Sequence, residues 1–262
     1  SMQLVDMETS NNILKGIEHL KNQKSSGGSA ANTIHGLANL GIETGFIGTV
    51  GQDELGDFFQ NDLEKNNIKP FLKKGKNPSG KAIAFVSPDS ERTFATYLGA
   101  ALELTENNIS IENFEGYDYL HVEGYLVQNQ KFLHKIITSA KQNGLKVSLD
   151  LASYNVVEAN LDFLQNLIKN YVDIVFANEE EAKAFTGFNP ESALHEIANH
   201  CEIAIVKIGK NGSLIKNKEK TYKVGVIEAN SIDTTGAGDV YASGFLYGIT
   251  QNLPLDKCGE LG

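Results

Sequence analysis

The sequence predicts an α/β protein: a doubly wound, mostly parallel sheet flanked by helices, with a small β-sheet lid. Three observations carry this. Strand-like and helix-like segments alternate along most of the chain. Two of the strand segments, Val172-Asp173-Ile174-Val175-Phe176 and Ile203-Ala204-Ile205-Val206, are nearly continuous apolar runs, which suits parallel strands buried on both faces. Between about residues 68 and 100 the alternation gives way to a β-rich texture. The 262 residues, 41% of them hydrophobic, are enough for one large domain with a substantial core. The expectation is a single domain over residues 1–262 with the β-rich insert at about 68–100.

In chain order, helices are expected at residues 11–20 and 30–40, the second opening just after Gly27-Gly28-Ser29. A short strand is expected at 44–50 and a helix at 53–66. In the insert, Ala82-Ile83-Ala84-Phe85-Val86 and Thr93-Phe94-Ala95-Thr96-Tyr97 flank Ser87-Pro88-Asp89-Ser90, a good hairpin turn. Strands then fall at 119–122, 146–150, 174–177 and 203–208. Helices lie between them at 130–143, 161–170 and 191–200.

The formal net charge is -10. An acidic surface argues against general nucleic-acid binding, where Lys and Arg neutralise phosphates, but a few local donors suffice to hold a small anionic ligand. The two cysteines, Cys201 and Cys258, form no CxxC pair, and the six histidines form no HxH or HxxxH pattern. A disulfide framework or a zinc site is not expected, and a cytoplasmic location is. No apolar run approaches the roughly 20 residues of a membrane span.

The strongest chemical signal is Asp233-Thr234-Thr235-Gly236-Ala237-Gly238-Asp239, leading into a helix-like run from Val240. Small residues before a helix let backbone N–H groups converge at the positive end of its dipole, a site for an anion. A carboxylate in the first turn, Asp239, is well placed to take a proton from a hydroxyl nucleophile while that hole stabilises a transferring phosphoryl group. Alone, the last four residues read equally as a glycine-rich turn. The Thr pair and the second Asp favour the functional reading.

Three further segments gain weight by co-occurrence. Gly27-Gly28-Ser29-Ala30-Ala31-Asn32 offers close backbone approach and an amide for a sugar hydroxyl; taken alone it reads better as a loop with an exposed Asn. Asn178-Glu179-Glu180-Glu181 follows a strand at the sheet edge where α/β proteins bind ligands. Its carboxylates suit Mg²⁺ through water, and Asn178 also suits an N-cap; both readings hold together. Lys207-Ile208-Gly209-Lys210-Asn211-Gly212 is a phosphate or ribose cradle or, equally, a plain β-turn. Gly75-Lys76-Asn77-Pro78-Ser79-Gly80-Lys81 matches GxxxxGK, but it leads into a strand and lacks the Ser or Thr that reaches Mg²⁺, so it is read as a loop.

Together the Gly27 to Asn32, Asn178 to Glu181 and Asp233 to Asp239 elements resemble the ribokinase, or PfkB, family in kind and in order. The resemblance spans nearly the whole chain. It implies an α/β sandwich with a β-lid, and transfer of the ATP γ-phosphoryl group to a primary hydroxymethyl. By that resemblance Asp239 is the base, and Gly236, Ala237 and Gly238 supply the anion hole. Gly27, Gly28, Asn32 and Arg92 hold the acceptor. Asn178, Glu181, Lys207, Gly209, Gly212 and Thr235 serve ATP, with Glu181 reaching Mg²⁺ through water. Asp233 and Thr235 are the places for a monovalent cation such as K⁺. Family members begin with a strand carrying an Asp for the acceptor hydroxyls and continue past the catalytic helix. The chain is therefore expected to be part of a longer enzyme.

Within the family, Glu91 to Ala101 and His121-Val122-Glu123-Gly124-Tyr125-Leu126 look closest to adenosine kinases. Phe85, Phe94 and Tyr97 are candidates for a purine slot, or equally for a lid core or dimer contact. Adenosine or a related nucleoside is the expected acceptor, a sugar such as ribose or fructose the alternative, and a silent nucleoside- or sugar-binding relative the further one. A monomer and a homodimer paired through the lid are both compatible with the sequence.

Overall fold

The computed structural model describes residues 2–20, 23–86, 92–227 and 236–262. The chain begins with β1 (Met2–Leu4), α1 (Met7–Gly16), α2 (Ser29–Asn39), β2 (Thr44–Val50), α3 (Glu54–Lys65), β3 (Ile68–Lys74), β4 (Lys81–Val86) and β5 (Arg92–Tyr97). It continues with β6 (Tyr119–Glu123), α4 (Gln130–Gln142), β7 (Lys146–Asp150), α5 (Tyr154–Ala159), α6 (Leu161–Tyr171), β8 (Ile174–Asn178) and α7 (Glu179–Thr186). It ends with α8 (Pro190–Ala198), β9 (Ile203–Lys207), β10 (Ser213–Asn217), β11 (Thr221–Val224), α9 (Ala237–Thr250) and α10 (Leu255–Leu261).

These elements form two compact units, residues 1–27 with 45–104, and residues 28–44 with 105–262. In the first unit, β4 and β5 are antiparallel, with Ala84 opposite Phe94 and Phe85 opposite Thr93. β1 pairs parallel with β5, and β2 and β3 form a separate ladder. The β-rich stretch at 68–100 thus belongs to two sheets, since β3 pairs with β2 while β4 and β5 pair with β1. The turn at Ser87 to Ser90 lies outside the described residues. Period-two alternation puts Phe85 and Tyr97 on one face of the β4–β5 ribbon and Phe94 on the other, so the three do not share one slot. Lys81 opens β4, as expected of a loop leading into a strand rather than a helix.

The first helix starts at Met7, four residues before the expected start, because Asp6 caps it by accepting a hydrogen bond from the Thr9 amide at 2.7 Å. A strand at Met2–Leu4 was not expected; three residues are too few to show an alternating pattern.

In the second unit a six-stranded sheet runs β11-β10-β9-β8-β7-β6. Strands β6 to β9 are parallel, and β10 and β11 return antiparallel as hairpins. β8 reads Ile-Val-Phe-Ala-Asn and its first four residues are buried, as expected of a central parallel strand. Register aligns Ile174, Phe176, Ile205 and Ile215 on one face, where they meet Leu37 of α2 and Ala242, Phe245 and Leu246 of α9. Phe176 and Phe245 pack edge to face with ring centroids 5.5 Å apart. The intervening residues Val147, Leu149, Val175, Ala204 and Val206 are fully buried on the other face. Helices α4, α7 and α8 pack against these strands. α2 and α9 touch so closely that a Cβ at Gly36 would overlap the Ser243 hydroxyl. Among the described residues no helix is long and apolar enough to cross a membrane.

Candidate active site

The site is built by register. Glu123 is the partner of Asp150 across β6 and β7, and Asn178 is the partner of Lys207 across β8 and β9. With Asp150 level with Phe176, all four residues point to the sheet face that carries α2 and α9. They stand at the carboxyl ends of four adjacent parallel strands, the edge where open α/β sheets bind ligands.

Above this row α9 begins. Gly236 precedes it at φ +71°, a left-handed conformation that favours glycine, and Ala237, Gly238 and Asp239 form its first turn. Asp239 is half-buried and held at both carboxylate oxygens. The Ser29 hydroxyl donates to Oδ1 at 2.7 Å, and Asn32 Nδ2 donates to Oδ2 at 2.8 Å. The Thr33 hydroxyl donates to the Asp239 carbonyl at 3.2 Å. One turn of α2 therefore fixes the carboxylate from residues 29 and 32 and the main chain of Asp239 from residue 33, the spacing of a single helix face. Asn32 in this structure faces Asp239. Gly28 caps α2 at φ +108°, and nothing lies within 4 Å of a Cβ placed at Gly27 or Gly28, so both keep open backbone.

Lys207 ends β9, and its ammonium lies 2.7 Å from Asp150 Oδ2. It also comes within 3.1 Å of a Cβ placed at Gly238, which puts a cation beside the first turn of α9. Burial works to lower the Lys207 pKa, but the surrounding carboxyls, Asp150 foremost with Glu181 and Glu123, together outweigh it and hold the group above the ordinary lysine value. Asp150 Oδ1 accepts from the Ala152 amide at 3.0 Å.

Asn178 and Glu181 close a reciprocal cap on α7. Asn178 Oδ1 accepts from the Glu181 amide at 2.9 Å, while the Glu181 carboxylate accepts from the Asn178 backbone amide at 2.8 Å and from its Nδ2 at 2.7 Å. Burial pushes the Glu181 carboxyl up to about 7; Asp150 adds to the rise, and Lys207 opposes it. The sign of the stability linkage follows. A carboxyl raised from 4.5 to about 7 on folding favours the folded state fully below pH 4.5, and that contribution is lost as pH rises to 7. Glu181→Gln is expected to flatten the stability profile across this window, by about 1–3 kcal/mol after the weakened cap is counted. Urea denaturation of both proteins at pH 5, 6 and 7.5 measures it.

Gly209 and Gly212 bracket the tight turn between β9 and β10 at φ +54° and +91°. A Cβ at Gly212 would collide with the Val224 carbonyl, so packing alone already demands glycine there. Arg92 opens β5; its side chain, and the whole of Asp233 and Thr235, lie outside the described residues.

Two carboxylates of this row, Glu123 and Asp150, and the hydroxyl of Ser29 received no role from the sequence. Acidic residues at the ends of predicted strands were the available signal. Among the described residues no group of three or more His, Cys, Asp or Glu side chains is arranged to hold a metal ion directly.

The chain matches the pfkB family carbohydrate kinase profile over residues 4–262. It belongs to that family. PfkB-family kinases are ATP-dependent phosphotransferases, and so is this protein. Its fold superposes on the adenosine kinase of Sinorhizobium meliloti with a TM-score of 0.91 and 30% identity, covering 100% of this chain and 82% of that one. A probable sugar kinase from Rhizobium etli CFN 42 gives the same TM-score at 34% identity, covering 100% and 81%. The 5-dehydro-2-deoxygluconokinase of Geobacillus thermodenitrificans is 29% identical over 258 residues, 91% of this chain and 76% of its own. Both the α/β sheet and the kinase class read from the sequence are thus correct, and the relatives divide between nucleoside and sugar kinases.

Proposed function

We propose that this pfkB-family kinase phosphorylates the primary hydroxymethyl of a nucleoside, adenosine first, with Asp239 as the general base. The observation that carries the proposal is Asp239 in the first turn of α9, fixed from α2 at both oxygens and with the Lys207 ammonium beside the same turn. Asp239 takes the hydroxyl proton as the acceptor oxygen attacks the γ-phosphorus of ATP. The bond to the β–γ bridging oxygen breaks, and ADP leaves. The N–H groups of Gly236, Ala237 and Gly238 stabilise charge on the transferring group. Gly27, Gly28, Asn32 and Arg92 hold the acceptor; Asn178, Glu181, Lys207, Gly209 and Gly212 serve the nucleotide.

The residues fit Mg²⁺. Three carboxyl groups, Glu123, Asp150 and Glu181, act on the ammonium of Lys207, an acidic row whose charge a divalent cation would help to offset. With no direct ligand cluster, Glu181 would hold the ion through water, and the ion would supply neutralisation of the ATP phosphates.

Adenosine is favoured by the adenosine kinase that superposes along the whole chain. A sugar acceptor is the second reading, favoured by the gluconokinase and probable sugar kinase relatives. ADP release from Mg²⁺-ATP, measured separately with adenosine, inosine, ribose, fructose and 5-dehydro-2-deoxygluconate, decides between them. Turnover with adenosine alone supports the nucleoside reading. Turnover with a sugar alone replaces it with the second.

A further inference from the structure

Ala152 is strained. It lies two residues past Asp150, just beyond the end of β7, at φ +68°. In this left-handed conformation a Cβ crowds the following carbonyl oxygen, which is why residues other than glycine seldom adopt it. Strain of this kind persists only where the surroundings hold it, and it gathers at functional sites.

Two side chains hold this turn. The Ala152 amide donates to Asp150 Oδ1 at 3.0 Å, and the Ala152 carbonyl accepts from the Tyr125 hydroxyl at 3.1 Å. Tyr125 comes from the 3₁₀ turn Gly124–Asn129, which follows β6. Gly124 seats that turn against the end of β7. A Cβ there would lie 2.7 Å from the Leu151 carbonyl oxygen and 3.0 Å from that of Asp150. Burial is the main reason the Tyr125 hydroxyl titrates above the ordinary tyrosine value, so it keeps its proton and donates at neutral pH.

The group held in place is Asp150. With Oδ1 on the Ala152 amide, Oδ2 meets the Lys207 ammonium at 2.7 Å, and that ammonium stands beside Gly238 in the first turn of α9. Relaxation of residue 152 to a negative φ would reorient the turn and loosen its hold on Oδ1. We infer that Tyr125 is a positioning residue for phosphoryl transfer: its hydroxyl holds Ala152 in the turn that orients Asp150, and Asp150 sets the Lys207 ammonium for the nucleotide phosphates. The inference rests on Lys207 serving the nucleotide.

The test uses the full chain as native protein, Tyr125→Phe, Ala152→Gly, the double variant and Lys207→Met. Two readouts are taken: the exchange rate of the residue 152 amide hydrogen, and kcat and KM with Mg²⁺-ATP and whichever acceptor the panel selects. Tyr125→Phe removes the hydroxyl and keeps the ring. It is expected to speed exchange at residue 152 and to raise KM for ATP, each about three- to tenfold, the worth of one hydrogen bond, while KM for the acceptor stays near native. Made on top of Ala152→Gly, the same change is expected to cost less than about twofold, because glycine takes a positive φ without help. A tyrosine that only packs would not act on KM for ATP alone, and its loss would not shrink in the glycine background. Native exchange at residue 152 in Tyr125→Phe overturns the inference, as does a loss of equal size in both backgrounds. Native KM for ATP in Tyr125→Phe, where Lys207→Met raises it, overturns the inference as well. Native KM for ATP in Lys207→Met overturns the nucleotide role of Lys207 instead, so the two failures are told apart.

Discussion

Asp239→Asn is expected to lower kcat by about 10²–10⁴-fold, the usual worth of a general base, while leaving fold and acceptor binding close to native. The hydrogen bonds around residue 239 explain why the loss is confined to the chemistry. Asparagine keeps the size and shape of the side chain. Its Oδ1 can accept from Asn32 Nδ2, as Asp239 Oδ2 does at 2.8 Å, and its Nδ2 can donate to the Ser29 oxygen, which now donates to Asp239 Oδ1 at 2.7 Å. Both contacts survive with one reversed, so α2 and α9 stay joined. An amide has no basic oxygen of comparable strength, so the acceptor proton has nowhere to go. Steady-state kinetics paired with acceptor titration by calorimetry checks both halves. A kcat within a few-fold of native refutes the assignment.

The reach of the sequence is clearest in this same cluster. The helix start at 237–239 was legible because small residues and an acid precede an apolar run, and small residues, capping and dipole act locally. The N-cap at Asn178 was legible for the same reason, whereas the return bond from Glu181 was not foreseen. The central strands were legible because burial on both faces leaves continuous apolar runs, as in β8 and β9. What stayed hidden depends on contacts distant in sequence. Ser29 meets Asp239 across 210 residues, and Asp150 meets Lys207 across 57. Neither pairing leaves a periodic trace. The split of residues 68–100 between two sheets was hidden too, because strand propensity says nothing of which partner a strand takes. The hairpin strands β10, Ser-Leu-Ile-Lys-Asn, and β11, Thr-Tyr-Lys-Val, lack the continuous apolar runs that mark the parallel strands beside them.

Lys207→Met is expected to destabilise the protein by about 3–5 kcal/mol near pH 8, and by clearly less near pH 5.5. Lys207 and Asp150 are largely buried, with side chains 17% and 10% exposed, and their ion pair spans 2.7 Å. Methionine preserves the straight chain and most of the packing but removes the charge. Asp150 then keeps one short contact, from the Ala152 amide at 3.0 Å, and lies among carboxyls that already repel it. Breaking one side of a buried pair strands the other charge, which is where the loss arises. The pH dependence comes from Glu181. Its carboxyl stands at about 7 with Lys207 pulling it down, so removing the ammonium raises it further. Acid therefore neutralises part of the row and relieves the variant, whereas rising pH ionises a carboxyl that the folded state favours in its neutral form. Urea denaturation at both pH values reads the difference directly; equal losses would mean that packing, not charge, sets the effect. The same substitution is expected to raise KM for ATP roughly 10–100-fold, the worth of one charge-assisted hydrogen bond at a phosphate. Loss of stability without that KM change would mean that Lys207 braces the carboxylate row and leaves the nucleotide to the backbone of α9.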